Sequence, residues 1–268
     1  MQNLIDDPST RSTLLHRLIA APVHPLQKAD ATATPRVIAQ FWDDLDAIPV
    51  DVQECMLSWS QLGTYGFKQY VYDDKSASEM IERHFTKRHV RAFSNCPHPA
   101  MRSDYFRYCY ILKFGGWYID ADDAYLGGSI EPLLTNGRLK LNPLCFDISA
   151  NSMRDAVSAS EGPADSTLIF YTDTTPLIAP ANHPVIASAL EHATKNILTA
   201  DNGNRDVQSI TGPGNLTLSL AIHAQNLEKS NGEKDFEFIR DWGSISESRW
   251  PLGYREDDRN WRIWEQGK

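Results

Sequence analysis

Asp120, Asp122 and Asp123 follow directly on the apolar run Trp117-Tyr118-Ile119. An acidic cluster standing alone is usually a solvated turn. This one is preceded by Gly115-Gly116, which lets the backbone turn tightly, and by residues that read as a short strand. Ligands of α/β sheets bind beyond the carboxyl ends of strands. Carboxylates placed there can hold a hard divalent cation through oxygen, and the cation can bridge a diphosphate. Such a cation offsets the charge that develops on a departing phosphate oxygen. Upstream, Asp104 and Arg107 are three residues apart and share a helix face. On a surface such an ion pair is worth little. Tyrosines at neighbouring apolar positions put this face near the sheet, which favours a ligand clamp over a structural ion pair. Arg107 would then meet phosphate or sugar oxygen, and Asp104 would accept hydrogen bonds from sugar hydroxyls.

The periodicity supplies the elements that must position these groups. Residues 9–20 predict an amphipathic helix with Leu14, Leu15, Leu18 and Ile19 on its stripe, and residues 21–35 read as a linker. The main unit then starts near residue 35, giving an N-terminal extension (1–34) and one larger domain (35–268). Val37 to Trp42 reads as a buried strand. A helix over 51–62 carries Val52, Cys55, Met56 and Trp59 on one face, with Gly63 as its C-terminal cap. Residues 67–72 read as a second strand, and Ser76 to Glu79 has capping-box spacing before the next helix. The helix over 100–113 carries Asp104 and Arg107, and strand 117–119 delivers Asp120. Apolar segments at 168–171 and 177–179 precede two helices, started by Pro184 and Pro213. Alternation of strand and helix predicts an α/β sandwich with a mainly parallel sheet.

Bulk composition narrows the function. The 268 residues carry a net charge of -9 with no long lysine or arginine run, which argues against a nucleic-acid partner. A diphosphate ligand is still compatible, because one arginine and one cation neutralise it locally. No apolar stretch approaches the ~18 residues of a membrane span, and the N-terminus lacks a secretory signal. Cys55, Cys96, Cys109 and Cys145 are too scattered for a zinc site and read as buried thiols. These features read as a soluble, intracellular protein. His183 reads as a helix-start residue, and His223 has no assigned role. The stretch from Asp241 holds four of the seven tryptophans among charges, which fits a closing flap or a docking surface better than a core strand.

The segments Arg102-Ser103-Asp104-Tyr105-Phe106-Arg107-Tyr108 and Leu112-Lys113-Phe114-Gly115-Gly116-Trp117-Tyr118-Ile119-Asp120-Ala121-Asp122 resemble the DXD-containing sugar-transfer region. That region is shared by fungal initiating mannosyltransferases, α-1,4-galactosyltransferases and bacterial capsular-polysaccharide transferases, and more distantly by the large clostridial glucosylating toxins. Weaker resemblance extends to residues 35–42 and to Thr211-Gly212-Pro213. It implies a GT-A-like (Rossmann-like) mixed sheet flanked by helices and a retaining glycosyltransferase. The donor implied is a UDP-sugar, favoured over a GDP-sugar, with Mn²⁺ or Mg²⁺ as cofactor. The acceptor would be a glycan (such as a growing polysaccharide), a lipid-linked glycan or a protein.

By position, the resemblance implies that Asp120 contacts donor ribose and sugar and joins Asp122 at the metal. It gives Asp104 and Arg107 to the donor sugar, Trp42 to the nucleobase, and Ser248 and Trp250 to the donor diphosphate. Two departures stand out. Ala39 occupies a position where the family often has histidine, and Asp123 is an extra carboxylate, either supporting the site or solvated. Among alternatives, a DxDxT phosphatase or phosphotransferase would need a hydroxyl residue where Ala124 stands. A dinucleotide oxidoreductase would need its glycines between strand and helix, the reverse of the order here. A nucleotide-sugar hydrolase and a non-catalytic sugar-binding module are the remaining alternatives.

Overall fold

The computed structural model describes residues 4, 7–22, 34–199 and 206–266. Most of the expected linker, residues 23–33, lies outside them. Helix α1 (Pro8–Ala20) is capped by Asp7, whose carboxylate accepts from the Ser9 N–H. It packs on the sheet, where Ser12 Oγ donates to Leu168 O at 3.2 Å and accepts from Phe170 N at 2.9 Å. Leu15 and Ile19 are buried in the main core.

Strand β1 (Val37–Phe41) is followed by α2 (Val50–Ser58) and β2 (Lys68–Tyr72). The expected helix to residue 62 stops earlier. Buried Trp59 and Leu62 tighten the chain into a 3₁₀ turn over Trp59–Tyr65, and Gly66 at φ 80° is the left-handed cap in place of Gly63. Helix α3 (Asp74–His84) also starts earlier than expected, because Asp73 and Ser76 form the reciprocal capping box. Helices α4 (Lys87–Ser94) and α5 (Pro99–Phe114) follow. Gly115 (φ 67°) and Gly116 (φ 100°) then turn the chain back into the sheet. A Cβ on Gly115 would lie 2.7 Å from Ala181 N, so only glycine fits that approach.

Strand β3 (Gly116–Tyr118) leads through the aspartates to β4 (Asp123–Tyr125). Beyond it lie β5 (Leu139–Asp147), β6 (Ser152–Arg154), α6 (Ala156–Ser160) and β7 (Leu168–Ala179). The two expected apolar segments of β7 are thus one strand, whose polar middle faces the site described below. Helices α7 (Pro184–Thr199), α8 (Val207–Ile210) and α9 (Pro213–Ser230) precede β8 (Phe236–Phe238), β9 (Ser246–Ser248) and α10 (Trp261–Gln266).

Seven strands form one mixed sheet in the order β2-β1-β3-β7-β5-β6, with β8 paired to β5. Strand β1 is parallel to β2 and β3, whereas β7 is antiparallel to both β3 and β5. The expected mainly parallel sheet is therefore parallel only on the β2-β1-β3 side and across β5-β8. Alternation sorts the side chains. Ala39, Phe41 and Tyr118 join the core with α5, while Ile38, Trp117 and Ile119 join a second core containing Trp59 and Trp242. This is a mixed α/β fold, a sheet flanked by helices with an N-terminal helix, as the sequence implies. Among the described residues, no helix is long and apolar enough to cross a membrane.

Candidate active site

Asp120 leaves the end of β3 and is fixed through its backbone. Its N–H donates to Thr175 Oγ1 at 3.1 Å, and its carbonyl accepts from Gln40 Nε2 at 3.3 Å. Thr175 Oγ1 in turn donates to Asp123 Oδ2 at 2.9 Å. The Asp123 carbonyl accepts from Trp59 Nε1 at 2.8 Å, and the residue is only 2% exposed. The solvated reading of Asp123 is therefore wrong, because β7 and the buried Trp59 hold it inside. Asp122 accepts from the Tyr254 hydroxyl at 2.5 Å and pairs with the Arg255 guanidinium.

The Asp104–Arg107 pair faces inward from α5. Arg107 Nη2 lies 3.1 Å from Asp104 Oδ1, 2.8 Å from Asp120 Oδ1 and 3.0 Å from Ser103 Oγ. The guanidinium sits over the Tyr118 ring at 4.5 Å, and Asp104 Oδ2 accepts from Thr211 Oγ1 at 3.0 Å. Side-chain exposure is 4% for Arg107 and 7% for Asp104, so this is no surface ion pair. Arg107 Nη1 is buried without a protein partner. A buried cationic N–H without an acceptor is an acceptor-seeking group.

Trp42, Asp104, Arg107, Asp120, Asp122, Ser248 and Trp250 all line one cavity of about 540 Å³. Ser248 reaches it because β9 pairs with β4, opposite Asp123. Trp250 is 60% exposed at the rim, with the Arg255 guanidinium 3.8 Å above its ring. Trp42 meets Tyr254 edge-on, with centroids 5.2 Å apart. The C-terminal segment thus forms one wall of the cavity. His183 Nδ1 accepts from Val185 N at 3.3 Å, as expected at a helix start. His223 pairs with Asp235 at 2.8 Å, and neither residue lines the cavity. All four cysteines are buried and free.

Sequence reasoning missed Asp173, Thr174, Thr175, Tyr254 and Arg255, all of which line the cavity. The legible signal for three of them is Thr-Asp-Thr-Thr inside an otherwise apolar strand. Tyr254 and Arg255 carry no local signal.

Burial and mutual repulsion dominate the electrostatics. Burial, with further repulsion from Asp122, Asp104 and Asp173, pushes Asp120 up to about 7 despite Arg107 beside it. Burial raises Asp173 to about 6, opposed by the Thr174 N–H and Arg107. Asp123 is raised further, by burial and then by Asp122 and Asp120. Burial works against the Arg107 charge, yet Asp120 and Asp104 keep it firmly cationic. Carboxylates crowded this way fit a divalent cation. Among the described residues no three His, Cys, Asp or Glu side chains form a ready-made metal cage. One or two carboxylates completed by substrate phosphates is how Mg²⁺-type ions are usually held.

A pH prediction follows from the raised value of Asp120. A carboxylate whose folded pKa exceeds its unfolded value near 4 stabilises the fold at low pH and loses that contribution as pH rises through the folded value. Between pH 7 and 8, above the ordinary histidine value near 6.5 that burial only lowers for His98 and His183, the loss from Asp120 dominates. The metal-free Tm should therefore fall across this window, and Mn²⁺ should restore more of it at pH 8 than at pH 7. A thermal-unfolding series with and without Mn²⁺ checks this. A flat metal-free profile would discard the crowded-carboxylate account.

With the geometry in place, comparison with known proteins is informative over one segment. A search of curated proteins gives no match. Among solved structures the chain is similar to "PaToxG Glycosyltransferase", at 13% identity and a TM-score of 0.46, over 99% of this chain and 98% of that one. Residues 49–139 match the family described as "Glycosyltransferase sugar-binding region containing DXD motif". The matched span holds Asp104, Arg107, Asp120, Asp122 and Asp123, while Trp42, Thr211, Ser248 and Trp250 fall outside it. The buried arginine between carboxylates and the strand-terminal aspartates thus lie in residues 49–139, the stretch that matches the DXD-containing sugar-binding region of glycosyltransferases.

Proposed function

We propose that the chain transfers a sugar from a nucleotide-sugar, a UDP-sugar in preference to a GDP-sugar, to a hydroxyl of a glycan, lipid-linked glycan or protein, with retention of anomeric configuration. The observation that carries this reading is the buried Asp104–Arg107–Asp120 bridge at the cavity wall, with Arg107 Nη1 buried and without a protein partner. Asp122 and Asp120 would hold Mn²⁺ or Mg²⁺, which supplies positive charge for the departing diphosphate. Arg107 offers its unpartnered N–H to a phosphate or sugar oxygen. Asp104 tethers Arg107 and lines the same wall, in reach of sugar hydroxyls. Asp120 contacts ribose and sugar. Ser248 and Trp250 meet the diphosphate, and Arg255, already on both, adds charge there.

A thermal-shift panel of UDP- and GDP-sugars with Mn²⁺, followed by hydrolysis of each donor, tests the reading. Ligands that bind only the folded state raise Tm with the logarithm of concentration over Kd. Binding by no nucleotide-sugar would refute it.

Trp42 lines the cavity beside Tyr254 and is assigned to the base. Stacking on an aromatic is worth roughly 1–3 kcal/mol per base. Trp42→Ala should weaken UDP binding about ten- to hundredfold by titration calorimetry. Unchanged affinity in a folded variant returns Trp42 to a packing role.

A further inference from the structure

Four of the five cavity-lining aspartates of the DXD, α5 and β7 segments are engaged by neighbouring side chains. Asp104 is held by Arg107 and Thr211, Asp120 by Arg107, Asp122 by Tyr254 and Arg255, and Asp123 by Thr175. Asp173 differs. Its Oδ1 accepts the Thr174 backbone N–H at 2.8 Å, and among the described residues it makes no ion pair within 4.0 Å. Its backbone is fixed, since the neighbouring Thr172 N–H donates to Thr217 Oγ1 at 3.0 Å.

The β3–β7 register places it. Tyr118 pairs with Leu177, so the antiparallel strand carries Asp173 outward beside the loop Asp120–Asp122 that follows β3. Its strand neighbour Thr174 lies 3.4 Å from Asp104, and Thr175 holds Asp120 and Asp123. Asp173 therefore borders the sugar-holding groups without being one of their partners. Alternation puts Tyr171 and Ile169 on the same face of β7, and the register sets Leu144 opposite Tyr171. Tyr171, Leu144, Asn142 and Met153 also line the cavity, so the Asp173 carboxylate stands where the donor-holding wall gives way to a mostly apolar wall.

We infer that Asp173 is the catalytic carboxylate that receives the proton of the incoming acceptor hydroxyl. The inference rests on the glycosyltransferase reading above. As transfer proceeds, the acceptor oxygen forms its bond to the anomeric carbon. The bond from that carbon to the diphosphate oxygen breaks, with its electron pair leaving on the diphosphate. The hydroxyl proton passes to Asp173, which later releases it to solvent. In a same-face displacement the departing diphosphate is the competing proton acceptor. Its charge would be offset by Arg107 and Arg255, and by a cation held at Asp120 and Asp122, which would make it the weaker base. The pKa of Asp173, raised by burial to about 6, suits a group that must take a proton near neutrality.

Water is the acceptor that can be supplied without knowing the natural one. The test is hydrolysis of the UDP- or GDP-sugar that the wild-type protein cleaves fastest with Mn²⁺, together with UDP and donor titrations. Asp173→Asn should lower kcat by about 10²–10⁴-fold, the scale of general-base catalysis. Donor KM and UDP Kd should change less than threefold, and Asp173→Glu should recover part of kcat. A kcat within threefold of wild type in Asp173→Asn overturns the inference, since the diphosphate then takes the proton. A tenfold loss of UDP or donor affinity also overturns it, because Asp173 would then be a binding residue. Wild-type protein that binds no nucleotide-sugar instead fails the function reading itself, which the titration shows separately.

Discussion

Asp122→Asn should reduce turnover by about a hundredfold or more, the scale on which one lost transition-state charge contact is felt. On the proposed reading Asp122 would share a cation with a diphosphate, since it lines the cavity between Tyr254 and Arg255. Asparagine keeps an oxygen for the Tyr254 hydroxyl and removes one charge from a crowded set of carboxylates. The Arg255 guanidinium, itself largely buried, loses its charge partner, so Tm should fall, while Mn²⁺ should cease to raise it. Initial rates across a Mn²⁺ titration, with melting temperatures on the same preparations, separate the two effects. Near-normal turnover in the variant, or full wild-type activity in excess EDTA, removes the cation from the reaction.

Arg107→Ala should lose both stability and rate. The sequence alone favours a ligand clamp over a structural ion pair. The structure changes that expectation, because Arg107 is the common counter-ion of Asp104 and Asp120 and is almost fully buried. Stripping one partner from a buried pair costs about 3–5 kcal/mol. At roughly 2–4 °C per kcal/mol for a chain of this size, Tm should fall by on the order of 10 °C. A second substitution separates the roles. Asp104→Asn in the Arg107→Ala background removes one of the two stranded charges, so part of the Tm should return. The rate should not return, because the N–H groups offered to the donor are still missing. Arg107→Lys keeps a charge but cannot bridge two carboxylates and present a free N–H, and should be intermediate in both readouts. If the double variant recovers turnover along with Tm, Arg107 is structural and the clamp is abandoned.

Much of the scaffold can be read from local pattern. The Pro99–Phe114 helix, the glycine pair and the three-residue strand before Asp120 all follow from periodicity and turn chemistry. These determine their own neighbourhood, since Gly115 and Gly116 occupy conformations that few other residues tolerate. The errors are also local. Gly63 was the nearer glycine, but the cap went to Gly66 because burial of Trp59 and Leu62 drew the chain into a tighter turn. Ser76 takes part in a capping box as its third residue and not as its first, since Asp73 was free to cap.

The sequence by itself determined that the strand-terminal aspartates and the Asp104–Arg107 pair belong together. Both signals lie within twenty residues, and one helical turn plus one glycine turn brings them face to face. Only the tertiary structure decided what surrounds them. Antiparallel β7 brings Asp173 and Thr175 from fifty residues away, and the β4–β9 pairing carries Ser248 and Arg255 to Asp122. It also decided that Asp123 is buried and that Arg107 supports the fold as well as offering an N–H to a ligand. Long-range strand pairing depends on register between distant segments, and ionisation depends on the charges that packing gathers. A local pattern carries neither.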